Sequence, residues 1–227
     1  RCKPKDKICH NDQIDVSIPD AEVSSWTAED INLDIIFSCD DYAIIDKPAG
    51  IVMHPGAGVK SGTLANAVAK IYPEVLGLPR NGIVHRLDKD TSGLVVIARK
   101  NGFRNHIAEQ FQNREVEKKY LAVIKGEIIG ALTIDKPIAR DRHNRTKMKV
   151  DESGREAISE AISLESFGGY SVVEVKIETG RTHQIRVHLS SNKTPIIGDK
   201  AYGSGSQLIK NLSDNLKDKI LSFPRQA

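Results

Sequence analysis

Gly82-Ile83-Val84-His85-Arg86-Leu87-Asp88-Lys89-Asp90-Thr91-Ser92-Gly93-Leu94 sets a cluster of charged and titratable side chains between two apolar segments. Ile83-Val84 and Leu94-Val95-Val96-Ile97 predict short buried strands, and Lys89-Asp90-Thr91-Ser92-Gly93 between them has the composition of a turn. Asp88 therefore falls at a strand end. In an extended chain side chains alternate, so Arg86 and Asp88 share one face while His85 and Leu87 share the other. A guanidinium and a carboxylate that look the same way are either an incidental ion pair on a solvated turn or the beginning of a site, and Arg-x-Asp alone does not decide between them.

Upstream of this stretch, Leu33-Asp34-Ile35-Ile36-Phe37 and Tyr42-Ala43-Ile44-Ile45-Asp46 read as two strands joined by the turn-forming Cys39-Asp40-Asp41, a hairpin at a sheet edge. Lys47-Pro48-Ala49-Gly50-Ile51-Val52-Met53-His54-Pro55-Gly56 follows, and its Pro and Gly density predicts an irregular loop in which His54 is structural. Leu64, Ala67, Val68 and Ile71 recur at helical spacing, with Ser61 or Thr63 as cap and Pro73 as stop. Downstream, Asn101 can cap a second helix whose Phe103, Ile107 and Phe111 form a core-packing stripe ended by Asn113.

Val116 to Gly126 alternates as a strand with Tyr120 at its centre. Arg140 to Lys149 holds five Lys or Arg and a His against one acid, with no apolar periodicity; it is either a solvated loop or a contact for a phosphate backbone. Ala157 to Leu164 and Ser171 to Ile177 alternate on either side of Phe167-Gly168-Gly169-Tyr170, a hairpin signal. Gly180-Arg181-Thr182-His183-Gln184-Ile185-Arg186-Val187-His188-Leu189 reads as a short helix capped by Thr182, although its periodicity alone does not separate helix from strand.

Composition narrows the function classes. At 227 residues, 39% hydrophobic and 28% charged, the chain can bury a sizeable core, which excludes disorder and fibre. No apolar run approaches the ~20 residues that span a bilayer, and the first residues are charged, so the expectation is a soluble, cytoplasmic protein without a membrane partner. Cys2, Cys9 and Cys39 lack Cys-x-x-Cys spacing, and His183 and His188 lack the two-His helical spacing of a zinc protease, so no disulfide framework and no metal site are expected. A net charge of +3 is compatible with nucleic acid without demanding it.

Taken together, these runs resemble a known family. His85-Arg86-Leu87-Asp88 through Thr91-Ser92-Gly93-Leu94 matches the signature His-Arg-Leu-Asp-x-x-Thr-Ser-Gly-Leu of the RluA-type pseudouridine synthases at every specified position. Lys47-Pro48 to His54-Pro55 resembles the first motif, Lys118 to Gly126 the tyrosine motif, and Gly180 to His188 the motif Gly-Arg-x-His-Gln-Ile-Arg-x-His. The resemblance continues through Pro195 to Gly203. It implies an α+β catalytic fold around a long, mainly antiparallel mixed sheet with flanking helices and a central catalytic cleft. The implied activity is isomerisation of uridine to pseudouridine in structured RNA, with large-subunit ribosomal RNA as substrate, no cofactor, and a monomer.

Residue by residue, the resemblance implies that Asp88 is the essential catalytic carboxylate and that Tyr120 stacks on the target base and takes part in its proton transfers. Arg186 is implied to pair with Asp88, and Arg86 to hold the target nucleotide out of its helix. Arg140, Arg142, Arg145, Lys147 and Arg181 are the remaining candidate RNA contacts. The implied organisation is a remnant of an N-terminal alpha-L-type RNA-binding domain at 1–20, a linker at 21–32 and the catalytic domain at 33–227, its C-terminal segment incomplete. Two rivals stand beside this reading: a catalytically silent RNA-binding assembly factor on the same fold, and a metal-dependent hydrolase using His85, Asp88, His183 and His188.

Overall fold

In the computed structural model, residues 9–10, 12–13, 26–56 and 58–203 are described. The alternating segment 14–19, residues 21–25 of the expected linker and the final segment 221–227 lie outside them. Among the described residues the order is β1 (Asp34–Ser38), β2 (Tyr42–Lys47), α1 (Leu64–Ile71), β3 (Gly93–Ala98), α2 (Asn101–Gln112), β4 (Lys119–Lys125), β5 (Ala131–Asp135), β6 (Ile138–Arg140), β7 (Met148–Val150), β8 (Ile158–Phe167), β9 (Tyr170–Ile177) and α3 (Gln184–Ser191). The chain is α+β, and among the described residues every pair of these strands is antiparallel.

The long sheet is divided. One sheet runs β1-β2-β3, with the expected hairpin at its edge, a second runs β4-β9-β8-β5, and β6-β7 is a separate ribbon. Each larger sheet has its own core. Ala43, Ile45, Val95 and Ile97 pack against Leu64, Ala67 and Val68 of α1. Ala122, Ile124, Val173 and Val175 pack against Ile185 and Leu189 of α3. Strand alternation puts these residues on one face of their sheets, and their removal from water stabilises the fold by roughly 25 cal/mol per Å² of apolar surface. Tyr120 on β4 packs against both cores and so lies at the seam between them.

α1 begins where the sequence predicts. The Thr63 backbone N–H donates to Asn66 Oδ1 at 3.1 Å and the Asn66 N–H donates to Thr63 Oγ1 at 3.4 Å, a reciprocal capping box. Two other starts differ. α2 is preceded by Lys100, with Asn101 already its first helical residue, and Phe103, Ile107 and Phe111 are half-buried rather than core. Phe103 instead stacks on Tyr42 and Phe111 on His85. At α3 the cap position is His183, not Thr182, and His183 is left-handed at φ 58 with no side-chain cap bond. Gln184 instead ties the helix start to its surroundings: its Oε1 accepts from Arg181 N at 3.0 Å and Thr179 Oγ1 at 2.7 Å, and its Nε2 donates to Ile158 O and Ser159 Oγ.

The opening stretch is less regular than its composition predicts. Ile83 makes a single bridge to Ile97, and the chain from Val84 to Asp88 bends at His85 and joins no strand ladder. Its approach to β3 explains Gly82: a Cβ there lies 1.9 Å from the Ala98 carbonyl oxygen, and φ is +73 besides, so only glycine fits. Residues 26–32 lie along the first core, with Trp26 and Ile31 packed on it and Asn66 Nδ2 donating to Thr27 O at 2.8 Å.

Candidate active site

Asp88 stands at the end of this irregular stretch, half-buried on the wall of a cavity of about 310 Å³. Three anchors hold it there. Leu87 is buried in the first core. His85 accepts the Val96 N–H on Nε2 at 2.9 Å, and its ring stacks on Phe111 with centroids 4.9 Å apart. The turn after Asp88 is closed by Thr91 N to Asp88 O and pinned by Lys47, a fully buried lysine whose Nζ donates to the carbonyls of Pro48, Ile51 and Lys89 at 2.8, 3.0 and 3.1 Å. An ammonium taken from water needs several oxygens around it, and here they are backbone carbonyls of the two loops that meet beside Asp88.

Arg186 approaches from the other core. α3 is buried along Gln184 to Leu189, with Ile185 and Leu189 facing the second core, so its polar residues must find partners inside the protein. Arg186, 7% exposed, donates from Nη1 to Asp88 Oδ2 at 3.0 Å. Its other edge is engaged by Asp199, with Nε to Oδ2 at 2.7 Å and Nη2 to Oδ1 at 3.1 Å. This is a bidentate fork on one carboxylate and a single bond to another. Burial acts against the arginine's charge, but the bonds to Asp199 and Asp88 more than reverse it, and its pKa is raised. Burial likewise works to raise the Asp199 pKa, and the Arg186 fork outweighs it, leaving that carboxyl below the usual range.

Asp199 is the site residue that motif reading passed over. It is 3% exposed and also accepts the backbone N–H groups of Ala201 and Tyr202 at 2.9 and 3.1 Å, closing a tight turn. Gly203 completes that turn, because a Cβ there lies 2.5 Å from the Asp199 carbonyl oxygen. A signal was present: an acid following Pro195-Ile196-Ile197 is headed for the interior, where a carboxylate requires a cationic partner. Tyr202 lies in the same turn. The Arg186 guanidinium sits over its ring at 4.8 Å, and its hydroxyl is 2.7 Å from His183 Nδ1, while His183 Nε2 is 3.9 Å from Asp88 Oδ2. The left-handed His183 thus places a strained backbone residue beside the carboxylate.

Tyr120 lines the same cavity. Burial raises its pKa, and the Asp88 charge adds to the effect, so the phenol keeps its proton at neutral pH and can donate it to a hydrogen bond. Arg86 is exposed at the cavity wall, and Arg181 lines it with Nε donating to Glu156 O at 2.8 Å. Asp88, Tyr120, Arg186, Arg86 and Arg181 are therefore brought together.

The basic stretch is not part of that cavity. It forms the β6-β7 hairpin, in which Arg140 donates to Arg145 O at 3.0 Å and Asp141 Oδ1 accepts from His143 N and Asn144 N. Arg140, Arg142 and Arg145 are exposed. Lys147 turns inward instead, donating to Ala201 O at 2.6 Å beside the Tyr202 ring. His188 is fully buried between Ser159 Oγ and Lys136 O, each at 2.9 Å, and His85 points at Val96, so two of the four residues a metal-dependent hydrolase needs are committed to the fold.

Comparison with known proteins follows the same lines. The family model described as RNA pseudouridylate synthase matches residues 41–191. A protein of Xanthomonas campestris pv. campestris named ribosomal large subunit pseudouridine synthase D is 40% identical over 225 residues, covering 99% of this chain and 68% of that protein. Its namesakes in Pseudomonas aeruginosa and Escherichia coli K12 are 41% and 39% identical over the same length, covering 70% and 69% of their own. Among solved structures, human RNA pseudouridylate synthase domain containing 4 superposes with a TM-score of 0.66 at 26% identity, covering 86% of this chain and 82% of the other. Human RNA pseudouridylate synthase domain containing 1 gives 0.63 at 26% identity, covering 82% and 73%.

Proposed function

Because the chain belongs to the RNA pseudouridylate synthase family, we propose that its catalytic domain, residues 33–227, isomerises uridines of large-subunit ribosomal RNA to pseudouridine through Asp88, Tyr120 and Arg186. The observation that carries the reading is the 3.0 Å contact between Arg186 Nη1 and Asp88 Oδ2 on the wall of the cavity that Tyr120 also lines. The relatives named ribosomal large subunit pseudouridine synthase D support this choice of RNA. The protein works in the cytoplasm as a monomer and without a cofactor.

The reaction detaches uracil from its glycosidic nitrogen, turns it, and rejoins it through ring carbon five, whose proton is then lost. Asp88 begins it, either by attacking the anomeric carbon or by taking the proton of the neighbouring sugar carbon. Both routes need the carboxylate ionised and correctly aimed. Arg186 serves both needs: its charge is permanent, and Asp199 fixes the plane of its fork before substrate arrives. Tyr120 supplies a ring face for the base and a protonated hydroxyl over the reacting atoms. A uridine in a helix is beyond reach of such a cavity, so it is flipped out at a cost of a few kcal/mol, which stacking on Tyr120 and occupation of the gap by the exposed Arg86 offset.

The silent assembly factor and the hydrolase are decided by one experiment. The protein is incubated with large-subunit ribosomal RNA transcribed with labelled uridine, with and without a strong chelator, and the RNA is digested to nucleosides. Labelled pseudouridine at equal yield in both arms is the expected result. Its absence removes the synthase reading, and its loss on chelation removes the cofactor-free one.

A further inference from the structure

At the rim of the cavity further cations collect. Arg114 Nη2 and Glu156 Oε1 are 3.1 Å apart, and the backbone carbonyl of that same Glu156 accepts from Arg181 Nε at 2.8 Å. Arg155 immediately precedes Glu156 in the chain, and Lys118, on the cavity wall with Arg181, donates a long 3.4 Å bond to Glu178 O. Arg155 is bonded through its backbone to Ile138 of β6, so the group runs on into the basic hairpin. The cations repel one another: burial and then Arg114 and Arg181 lower the Lys118 pKa, and burial and then Arg155 lower that of Arg181. Glu117, the nearest acid in sequence to Lys118, is occupied with Lys119 and Lys176.

Arg114 carries a second mark. It is left-handed, φ 62, just past Asn113 at the end of α2, a position glycine takes at no steric cost. Keeping an arginine there costs about 1 kcal/mol or more. Attraction to the negative end of the helix explains a cation at Arg114, but it does not reach Arg155 or Arg181.

We propose that Arg114, Lys118, Arg155 and Arg181 form a phosphate-binding rim that takes the RNA backbone from the β6-β7 hairpin to the mouth of the Asp88 cavity. The inference rests on the reading of this protein as an RNA-modifying enzyme. The rim brings four cations together with one of them, Arg114, paired to the Glu156 carboxylate, and phosphodiester oxygens relieve their repulsion while releasing counterions from the RNA.

The test measures affinity of the full chain for a transcribed large-subunit ribosomal RNA fragment across a KCl series, for wild type, Arg114→Gln with Arg155→Gln, and Glu156→Gln. The double variant is expected to lower the slope of log K against log[KCl] by about 0.7–0.9 for each phosphate that is no longer neutralised. Glu156→Gln, which removes the acid paired with Arg114, is expected to tighten binding severalfold. That sign separates the rim from a structural role, under which breaking the Glu156 bridge weakens binding. An unchanged slope in the double variant, or weaker binding by Glu156→Gln, overturns the proposal. Pseudouridine yield of wild type on the same RNA reports separately on the proposed function: RNA bound with an ordinary salt slope but left unmodified counts against the activity, while the variant slopes still decide the rim.

Discussion

Arg186 and Arg145 carry the same guanidinium in opposite surroundings. Arg186 is buried on α3, every edge of its fork is engaged by Asp199 or Asp88, and its ring neighbour Tyr202 closes one face. Arg145 is exposed at the tip of a ribbon, where its backbone carbonyl is used by Arg140. The first arginine has one position and acts on one carboxylate. The second offers its charge to solvent from an exposed position. A buried guanidinium must be paired because an unpaired one loses its hydration without return, whereas an exposed one gains little from any single partner. Geometry is therefore spent at the centre and charge alone at the hairpin.

That contrast breaks most sharply at Asp88. Asp88→Asn keeps the side-chain shape but removes the carboxylate proposed to attack or to take a proton, and single-turnover pseudouridine formation should fall by about 10⁴-fold or more with RNA affinity held within a few fold. Turnover near the wild-type rate would place the chemistry elsewhere. Next comes Arg186. Arg186→Ala leaves Asp199 buried without its cation, a loss of about 3–5 kcal/mol of stability, and should cost about 10²–10³ in rate. Arg186→Lys restores charge without the fork, so its rate should lie between the two. Equal rates for lysine and arginine, at matched folded fractions in urea titrations, would show that orientation by Asp199 contributes nothing.

His85 sharpens the comparison from the side of the fold. Burial, then the charge of Lys118, lowers its pKa from 6.5 to about 4, and its Nε2 must stay unprotonated to accept the Val96 N–H. Below its ordinary pKa the unfolded chain binds a proton that the folded one refuses. Stability should therefore fall as pH drops from about 6.5 toward about 4, by roughly 3 kcal/mol, and level off below. His54 and His188 are shifted the same way by burial, so the measurement is the difference in urea midpoint between wild type and His85→Gln across that window. Parallel curves would mean that His85 takes no part. The smallest effect is expected at the hairpin: Arg142→Ala with Arg145→Ala should weaken RNA binding about tenfold and flatten its salt slope by the equivalent of one or two phosphates, with single-turnover rate at saturating RNA little changed. A slope equal to wild type would leave these arginines as solvent-facing charges only.

Local periodicity, capping and turn chemistry are written within a few residues, and there the amino-acid sequence by itself determined the outcome. The β1-β2 and β8-β9 hairpins, α1 with its Thr63 cap and the strand carrying Tyr120 all follow from neighbours in the chain. The identities of Asp88 and Arg186 as candidates were legible too, through a motif resemblance. Partnership was not. Asp88 and Arg186 are 98 positions apart, and Lys47 reaches the turn after Asp88 across 42. Which carboxylate takes the arginine's second edge, that α3 starts on a left-handed His183 rather than a Thr182 cap, that Lys147 turns into the protein while Arg145 faces water, and that the sheet divides with Tyr120 at the seam were decided only by tertiary structure. The reason is physical: a buried charge is placed by the total of its desolvation and its distant partners, and neither term is recorded in the residues beside it.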